Sequence, residues 1–148
     1  FNIYGPKQGL DQVIPKFILQ ALNNKNLTVY GEGKQTRDYT YVKDAVYAYS
    51  LLAVKPKIEG MTINFGTGKE IKIKDLANMI LKLTKSKSKL VFDKKLRKGE
   101  TPRLLCDPNL AYNLLKWKTS FTLEKGISET IEYFQDKKEL ISNLPYML

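Results

Sequence analysis

The chain has 148 residues, is 43% hydrophobic and carries a net charge of +10 at pH 7, which is typical of one folded domain with its own core. Because it contains no His and only one cysteine, Cys106, a Ser-His-Asp triad, His-ligated zinc and an internal disulfide are excluded, and a reducing, cytoplasmic setting is indicated. No apolar run approaches the roughly 18 residues that span a bilayer, so no membrane partner is expected.

Strands and helices alternate in the first part of the chain. Residues 1–4 are strand-like and end at Gly5-Pro6, and apolar residues at helical spacing predict a helix over 13–23. Residues 27–30 are predicted to form a short strand. An extended stretch over 38–42 leads into a helix over 44–54, and its predicted inward face consists of Ala45, Val46, Tyr49, Leu52 and Ala53.

The alternation continues in the second part of the chain. We expect a buried strand over 61–65, closed by Gly66-Thr67-Gly68, then a helix over 75–84 and a strand over 90–92. Asp107-Pro108 is typical of a helix start and predicts a helix that reaches Leu115, and Thr122 caps a last helix that ends near Gln135. The predicted fold class is therefore α/β, in a single region over 1–148 without an internal linker.

The basic charge has two interpretations. A net charge of +10 could indicate a nucleic-acid partner, because lysine and arginine neutralise phosphates. The lysines are spread along the whole chain, however, and they cluster only at 85–89 and 94–98, which is typical of a solvated surface. Nucleic acid is therefore not the expected partner.

Familiar catalytic and cofactor motifs are incomplete here. Gly31-Glu32-Gly33-Lys34 and Gly66-Thr67-Gly68-Lys69 lack two required residues of a phosphate loop, and no Gly-x-Gly-x-x-Gly occurs. Tyr-x-x-x-Lys, a catalytic spacing of nicotinamide-dependent reductases, occurs four times, but about one match is expected by chance in so Lys-rich a chain. We therefore predict no catalytic residue, no certain cofactor-binding residue and no metal ligand within these residues.

Arg37 is the ligand-binding candidate that the residues alone indicate. The chain has 3 Arg beside 22 Lys, so an Arg in this background indicates a need for its planar fork, which binds phosphate or carboxylate in a bidentate manner. A turn with Gly31 and Gly33 precedes Arg37, and a predicted helix start follows it. This arrangement predicts an anion site at the end of a sheet.

Several segments, taken in order, resemble one protein family. They are Phe1-Asn2-Ile3-Tyr4-Gly5-Pro6, Val13-Ile14-Pro15, Thr28-Val29-Tyr30-Gly31-Glu32-Gly33, Thr36-Arg37-Asp38-Tyr39, Val42-x-Asp44, Ile63-Asn64-Phe65-Gly66 and Arg97-Lys98-Gly99-Glu100. Each motif is weak alone, but their order and spacing resemble the C-terminal part of an extended short-chain dehydrogenase/reductase. Within these reductases, the chain most resembles the nucleotide-sugar epimerases and dehydratases, and among them the UDP-glucose 4-epimerases. The resemblance extends to about Phe134.

The resemblance implies an enzyme of about twice this length, in which these residues form the substrate-binding region. The NAD-binding Rossmann half, with its Gly-rich loop, catalytic Ser or Thr and Tyr-x-x-x-Lys, would be the N-terminal part, which is absent from this chain. In the family, NAD removes and returns a hydride at C4 of the sugar of a UDP-hexose. This region alone is expected to be inactive, and the intact enzyme is expected to be a homodimer.

The resemblance also implies which residues bind the nucleotide. Asn2 would contact the diphosphate or the sugar. Gln12 and Val13 would contact the nucleotide at a helix start, where unpaired backbone N–H groups favour an anion. Thr28 and Tyr30 would flank the uracil, with their backbone groups reading its edge.

Further residues are implied around the phosphates, the ribose and the sugar. Arg37 and Arg97 would clamp the two phosphates, and Glu100, where the family more often has Asp, would accept from the ribose hydroxyls. Asn64 is a further candidate contact, with a turn residue at a strand end as its equal alternative. Leu104 would lie near the sugar and could admit an N-acetyl group at C2; a residue without ligand contact is its equal alternative.

Other polar and aromatic residues are given structural interpretations. Tyr39 is a candidate ligand contact, but it and Tyr41 are interpreted first as packing residues. Asp38 and Asp44 are interpreted as structural carboxylates, and Arg103 as a peripheral charge.

Alternative functions stay open at this point. Within the family they are a nucleotide-sugar 4,6-dehydratase and a UDP-glucuronate decarboxylase, because the residues that separate these reactions would lie in the other half of the enzyme. From another class, the alternative is a non-catalytic module that binds a nucleotide or a nucleic acid.

Overall fold

A computed structural model describes residues 1–94 and 99–137, so the predicted phosphate ligand Arg97 lies outside the described residues. Short strands alternate with helices, which confirms the α/β class. The elements are β1 (Asn2–Tyr4), α1 (Val13–Leu22), β2 (Leu27–Tyr30), β3 (Thr36–Arg37), β4 (Tyr39–Tyr41), α2 (Val42–Val54), β5 (Ile71–Lys72), α3 (Ile73–Thr84), β6 (Leu90–Asp93), β7 (Arg103–Leu104), α4 (Asn109–Leu115) and α5 (Leu123–Asp136).

The strands pair in three small groups. β1 lies parallel to β4, with Asn2 opposite Tyr39, and β2 lies parallel to β6. β3 is the centre of a three-stranded sheet, antiparallel to β5 and parallel to β7. Because parallel strands need long connections, each parallel pair joins segments that are far apart in sequence.

The main core lies between helices α1, α3 and α5 and the strands β1, β2 and β4. Four of the five apolar α1 residues at helical spacing are buried, Leu22 is partly buried, and Leu19 is buried in addition. Burying an Ile, Leu or Phe side chain stabilises the fold by about 1.5–3 kcal/mol. The buried residues are Ile14, Phe17, Ile18, Leu19 and Ala21. Their packing fixes the start of α1 beside β2, where the ligand candidates lie.

The predicted strand over 61–65 is wrong, because within the described residues this segment has no strand neighbour. Its side chains nevertheless alternate: Ile63 and Phe65 pack in a second, smaller core cluster with Trp117. The Phe65 and Trp117 rings meet edge to face, with centroids 5.0 Å apart. The alternation in sequence therefore marks a half-buried extended segment, whereas a strand also needs a partner for its backbone groups.

The predicted inward face of α2 is confirmed only at Ala45 and is otherwise wrong. The helix buries Asp44, Ala45 and Ala48, whereas Val46 and Tyr49 are 61% and 66% exposed. Apolar residues occur on several sides of this helix, so periodicity could not identify its buried side.

Asp44 sets the orientation of α2. Its carboxylate accepts hydrogen bonds from the Ser120 N–H at 2.9 Å, the Ser120 hydroxyl at 2.6 Å and the Phe121 N–H at 3.2 Å. The indole N–H of Trp117 donates to the Asp44 carbonyl at 3.1 Å. These bonds turn the Asp44 side of the helix inward and confirm that Asp44 is structural.

Candidate functional site

A cavity of about 340 Å³ lies between the start of α1, the end of β2 and the β3–β4 segment. This volume is at the lower end of the range for small-molecule sites. Seven of the residues predicted to bind a nucleotide line it. They are Asn2, Gln12, Val13, Thr28, Tyr30, Arg37 and Glu100.

The start of α1 forms one wall of the cavity. Gln12 is the N-cap residue, with an extended backbone and no side-chain hydrogen bond that caps the helix. Its amide instead donates to the Asp11 carboxylate at 3.2 Å. The first N–H groups of a helix have no acceptor within the helix and carry a partial positive charge. This wall therefore suits an anionic group.

Arg37 forms another part of the cavity wall. Its guanidinium donates to the Thr36 carbonyl at 2.7 Å and to the Glu100 carboxylate at 3.4 Å. The Arg37 and Glu100 side chains are only 16% and 22% exposed, so the pair is shielded from bulk water. The contacts among the described residues use two of the five N–H donors of Arg37. The remaining donors suit a phosphate.

The small sheet around β3 holds Arg37 in place. Glu70 accepts from the Thr36 hydroxyl at 2.7 Å and from the Arg103 guanidinium at 2.8 Å, and these bonds tie β5 and β7 across β3. The hydrogen bond from Arg103, followed by that from Thr36, holds the pKa of the Glu70 carboxyl below its ordinary value. Arg103 does not line the cavity, which confirms that it is a peripheral charge.

Asp38 is fully buried beside the cavity and connects three segments. Its carboxylate accepts from the Thr67 N–H at 3.0 Å, the Gly68 N–H at 2.9 Å and the Cys106 N–H at 3.3 Å. Its carbonyl accepts from the Asn2 side chain at 3.0 Å. Asp38 is therefore structural, as the sequence indicated, and it orients Asn2 in the cavity wall.

Tyr39 and Tyr41 are buried, which confirms that they are packing residues, although Tyr39 also touches the cavity. Burial raises the pKa of the Tyr39 hydroxyl above its ordinary value, with the Arg37 charge opposing this shift. Burial, followed by the Asp38 charge, raises the pKa of the Cys106 thiol to about 11. Both groups are therefore protonated at neutral pH, and neither is poised as a nucleophile.

Three predicted residues lie elsewhere. Asn64 lines a second cavity of about 260 Å³, which adjoins the first through Ile3. Leu104 lies on β7, 36% exposed, and outside the first cavity. Arg97 falls outside the described residues.

The sequence prediction missed several residues that line the cavity. Lys16 lies one helical turn after Gln12, and Gln35 precedes Arg37 by two residues in an extended segment, so spacing could have identified both. The Gln35 amide donates to the Glu100 carboxylate at 3.4 Å. The other missed residues, which the pattern does not single out, are Ile3, Gln8, Asp11, Phe17 and Ile73.

The described residues do not assemble other kinds of site. Their Cys, Asp and Glu side chains form no group of three that could hold a metal ion. Within the described part of the chain, none of the helices is both long and apolar enough to cross a membrane.

Residues 1–130 match the protein family described as GDP-mannose 4,6 dehydratase. A similar curated protein is the UDP-N-acetyl-alpha-D-glucosaminuronate decarboxylase of Bacillus cytotoxicus, which is 41% identical over 144 residues. The match covers 92% of this chain and 44% of that protein. The chain therefore spans less than half the length of this relative.

Solved structures are similar over most of this chain. An epimerase from Methanothermobacter thermautotrophicus has a TM-score of 0.91 at 30% identity, covering 96% of this chain and 43% of that one. The UDP-glucuronic acid 4-epimerase from Bacillus cereus, in complex with UDP-glucuronic acid and NAD, has a TM-score of 0.86 at 31% identity, covering 92% and 43%. The fold is thus that of Rossmann-type epimerases and dehydratases.

Proposed function

Because this chain belongs to the family of nucleotide-sugar epimerases, dehydratases and decarboxylases within the extended short-chain dehydrogenases/reductases, we propose that it binds the nucleotide diphosphate of a UDP-sugar. In this proposal it is the C-terminal, substrate-binding region of an NAD-dependent enzyme that epimerises a UDP-hexose at C4. The observation that carries the proposal is the convergence of seven predicted nucleotide ligands on one cavity.

Two parts of the cavity wall suit a diphosphate. The start of α1 offers the backbone N–H group of Val13, whereas the N–H group of Gln12 donates to the Gly9 carbonyl at 3.1 Å. Arg37 offers a planar fork shielded from water. Arg97 would supply the second guanidinium. Thr28 and Tyr30, at the end of β2, would place the base, and Glu100 would accept from the ribose hydroxyls. A nucleotide held in this way positions its sugar for chemistry elsewhere in the enzyme.

Arg37 and Glu100 would exchange partners when the nucleotide binds. In the free chain they face each other at 3.4 Å, a length at which their hydrogen bond is weak. A phosphate would take the guanidinium, and a ribose hydroxyl would take the carboxylate. The ion pair thus keeps both groups at the cavity wall before the ligand arrives.

NAD would be held mainly outside these residues. The chain contains no Gly-x-Gly-x-x-Gly, and the helix start beside the cavity is assigned to the substrate diphosphate. Hydride transfer at C4 of the sugar is the chemistry that bound NAD would supply. Residues 1–137 would contribute the grip on the nucleotide, and a homodimer is proposed for the intact enzyme.

One face of the fold is suited to the rest of the enzyme. Ile3, Tyr49 and Leu52 line the second cavity, and Val46 lies one helical turn before Tyr49 on α2. These four residues form what we call the apolar face. Because the chain spans 44% of a relative's length, we propose that the NAD-binding half covers this face. Asn64 would then lie between the two halves, and the sugar-size role of Leu104 stays a prediction.

A decarboxylase is the second candidate, favoured by the 41% identity to a decarboxylase that acts on a UDP-N-acetylglucosaminuronate. The two activities separate in one assay of the full-length enzyme. Epimerisation converts UDP-glucose to UDP-galactose without loss of carbon, whereas decarboxylation of a UDP-uronate releases carbon dioxide.

Nucleotide binding by the chain itself is tested by titration calorimetry with UDP. We expect Arg37→Ala to raise the Kd for UDP by about 10- to 100-fold, because it removes charged hydrogen bonds to phosphate. Lys25→Ala is the control: it removes an exposed cation that lies outside the cavity. Salt-sensitive RNA binding without UDP binding would instead support the nucleic-acid module.

A further inference from the structure

Lys16 is a cation in the cavity wall to which the proposed function assigns no role. It lies on α1, half-buried, and its ammonium is 5.4 Å from the centre of the Tyr30 ring. Among residues 1–94 and 99–137, no carboxylate lies within ion-pair distance of this ammonium. Contact with an aromatic face retains a lysine only weakly at a half-exposed position. The ammonium is therefore available to a ligand that lies against Tyr30.

The backbone of β2 defines which part of a ligand would meet Lys16. The N–H groups of Leu27 and Gly31 donate to carbonyls of the β6 segment, at 2.9 Å and 2.8 Å. Along a strand, the N–H and C=O groups of successive residues point alternately to the two edges of the strand. The backbone groups of Thr28 and Tyr30 therefore point away from β6, to the edge of β2 where both residues line the cavity. The Thr28 carbonyl is a hydrogen-bond acceptor on that edge. A planar base lying along this edge would have its own polar edge between Thr28 and Lys16.

The two groups differ in their hydrogen-bonding character. A carbonyl only accepts, and an ammonium only donates. In uracil and thymine the N3–H donor lies beside the keto oxygen at C4, so the Thr28 carbonyl could accept from N3–H while the Lys16 ammonium donates to the C4 oxygen. In cytosine N3 is an acceptor and C4 carries an amino group, so both of these contacts would be mismatched, although the keto oxygen at C2 is retained. A donor that faces a donor, or an acceptor that faces an acceptor, lowers the affinity more than the simple absence of a hydrogen bond does.

We propose that Lys16 is a specificity residue that donates a hydrogen bond to the C4 keto oxygen of the base and so selects uridine or thymidine diphosphates over cytidine diphosphates. This inference rests on the proposed nucleotide-binding function. It assigns to α1 a second role besides binding the diphosphate through its start. Because Lys16 lies one turn after Gln12, the side chains of both residues lie on the same side of the helix, which faces the cavity.

The test is calorimetric titration of the chain with UDP, dTDP and CDP. We expect the wild-type chain to bind UDP and dTDP at least 10-fold more tightly than CDP. In Lys16→Met, which keeps the length of the side chain and removes the donor, this preference is expected to fall to about 3-fold or less, chiefly through weaker UDP binding. Lys16→Arg, which also only donates, should retain most of the preference.

Lys25→Met is the matched control, because Lys25 is an exposed lysine that lies outside the cavity. It is expected to leave all three affinities unchanged, and circular dichroism would verify that each variant is folded. Equal weakening of UDP and CDP by Lys16→Met would assign Lys16 to the phosphates and overturn the inference. An unchanged UDP-to-CDP ratio would also overturn it. Absence of UDP binding by the wild-type chain would overturn the proposed function, and this inference with it.

Discussion

Asp38 accepts four hydrogen bonds through its buried carboxylate, from the N–H groups of Thr67, Gly68 and Cys106 and from the Thr67 hydroxyl. A buried carboxylate is stable only when its oxygens are paired in this way. The bonds join the end of β3 to loops that are distant in sequence. They also keep the Asp38 carbonyl in position for Asn2, so one residue links stability to the cavity wall.

Asp38→Asn is therefore expected to lower the free energy of unfolding by about 2–4 kcal/mol. In Asn, an NH2 group, which only donates, replaces one of the two carboxylate oxygens. The buried N–H groups that bond this oxygen in Asp38 would then lose their acceptor. Urea unfolding followed by circular dichroism measures the change. Asp136→Asn is the matched control, because Asp136 is exposed at the end of α5, and its effect should stay within about 0.5 kcal/mol. Equal stability of the two variants would contradict the structural role of Asp38.

Some residues of the cavity wall could be identified from the sequence, and others could not. Arg37 was identified because it is an arginine in a Lys-rich chain, and it lies in the cavity wall. Lys16 was missed because a lysine among 22 carries no compositional signal. The exposed location of Leu104 could not be predicted either, because it depends on the pairing of β7 with β3.

At the scale of elements, the turn between β2 and β3 sets the direction in which Arg37 enters the cavity. Gly33 in this turn has a φ of +66°, in the left-handed region that side chains disfavour. A Cβ atom there would lie 2.7 Å from Val29 Cγ1 and 3.0 Å from Lys74 Cβ. The turn therefore requires glycine for both its backbone conformation and its packing.

Gly33→Ala is expected to destabilise the chain by about 2–4 kcal/mol, the sum of left-handed strain and overpacking. Gly60→Ala is the matched control: Gly60 has a φ of +76°, but a Cβ atom there would have no neighbour within 4 Å, so about 1–2 kcal/mol of strain is expected alone. Thermal and urea unfolding of both variants gives the difference. Equal costs would mean that the packing around Gly33 adjusts without loss.

Elements that hydrophobic spacing specifies were predicted closely. The bounds of β2 were predicted correctly, and Thr122 caps α5 by accepting from the Lys125 N–H at 3.2 Å. The two-residue strands β3, β5 and β7 were missed, because such short strands contain no periodic pattern. The buried side of α2 was predicted wrongly, because hydrogen bonds to Asp44 outweigh the positions of its apolar residues.

At the scale of the whole molecule, order along the sequence was more informative than any single motif. The cavity assembles residues from position 2 to position 100, which lie on strands of three separate sheets, at the start of α1 and in a loop. Composition and spacing could not predict that arrangement, whereas a resemblance extending over most of the chain carried it. What covers the apolar face could not be derived from these residues, since it depends on a surface outside them.

The apolar face should make the isolated chain self-associate, because Val46 and Tyr49 expose a contiguous apolar surface. We expect sedimentation velocity to show concentration-dependent association. Val46→Glu combined with Tyr49→Glu should weaken it at least 10-fold through charge repulsion and lost apolar contact. Both side chains are exposed, so the melting temperature should change by only a few degrees.

Leu110→Glu combined with Tyr112→Glu is the matched control, because these residues are 41% and 51% exposed on α4, outside the apolar face. This pair should leave association unchanged. If the control weakened association as strongly as the Val46 and Tyr49 pair, the contact would be non-specific. A chain that stays monomeric at all concentrations would contradict the assignment of this face as a covered surface. Loss of association in the Val46 and Tyr49 pair alone would identify the apolar face as the surface of association, as the proposal that another part of the enzyme covers it requires.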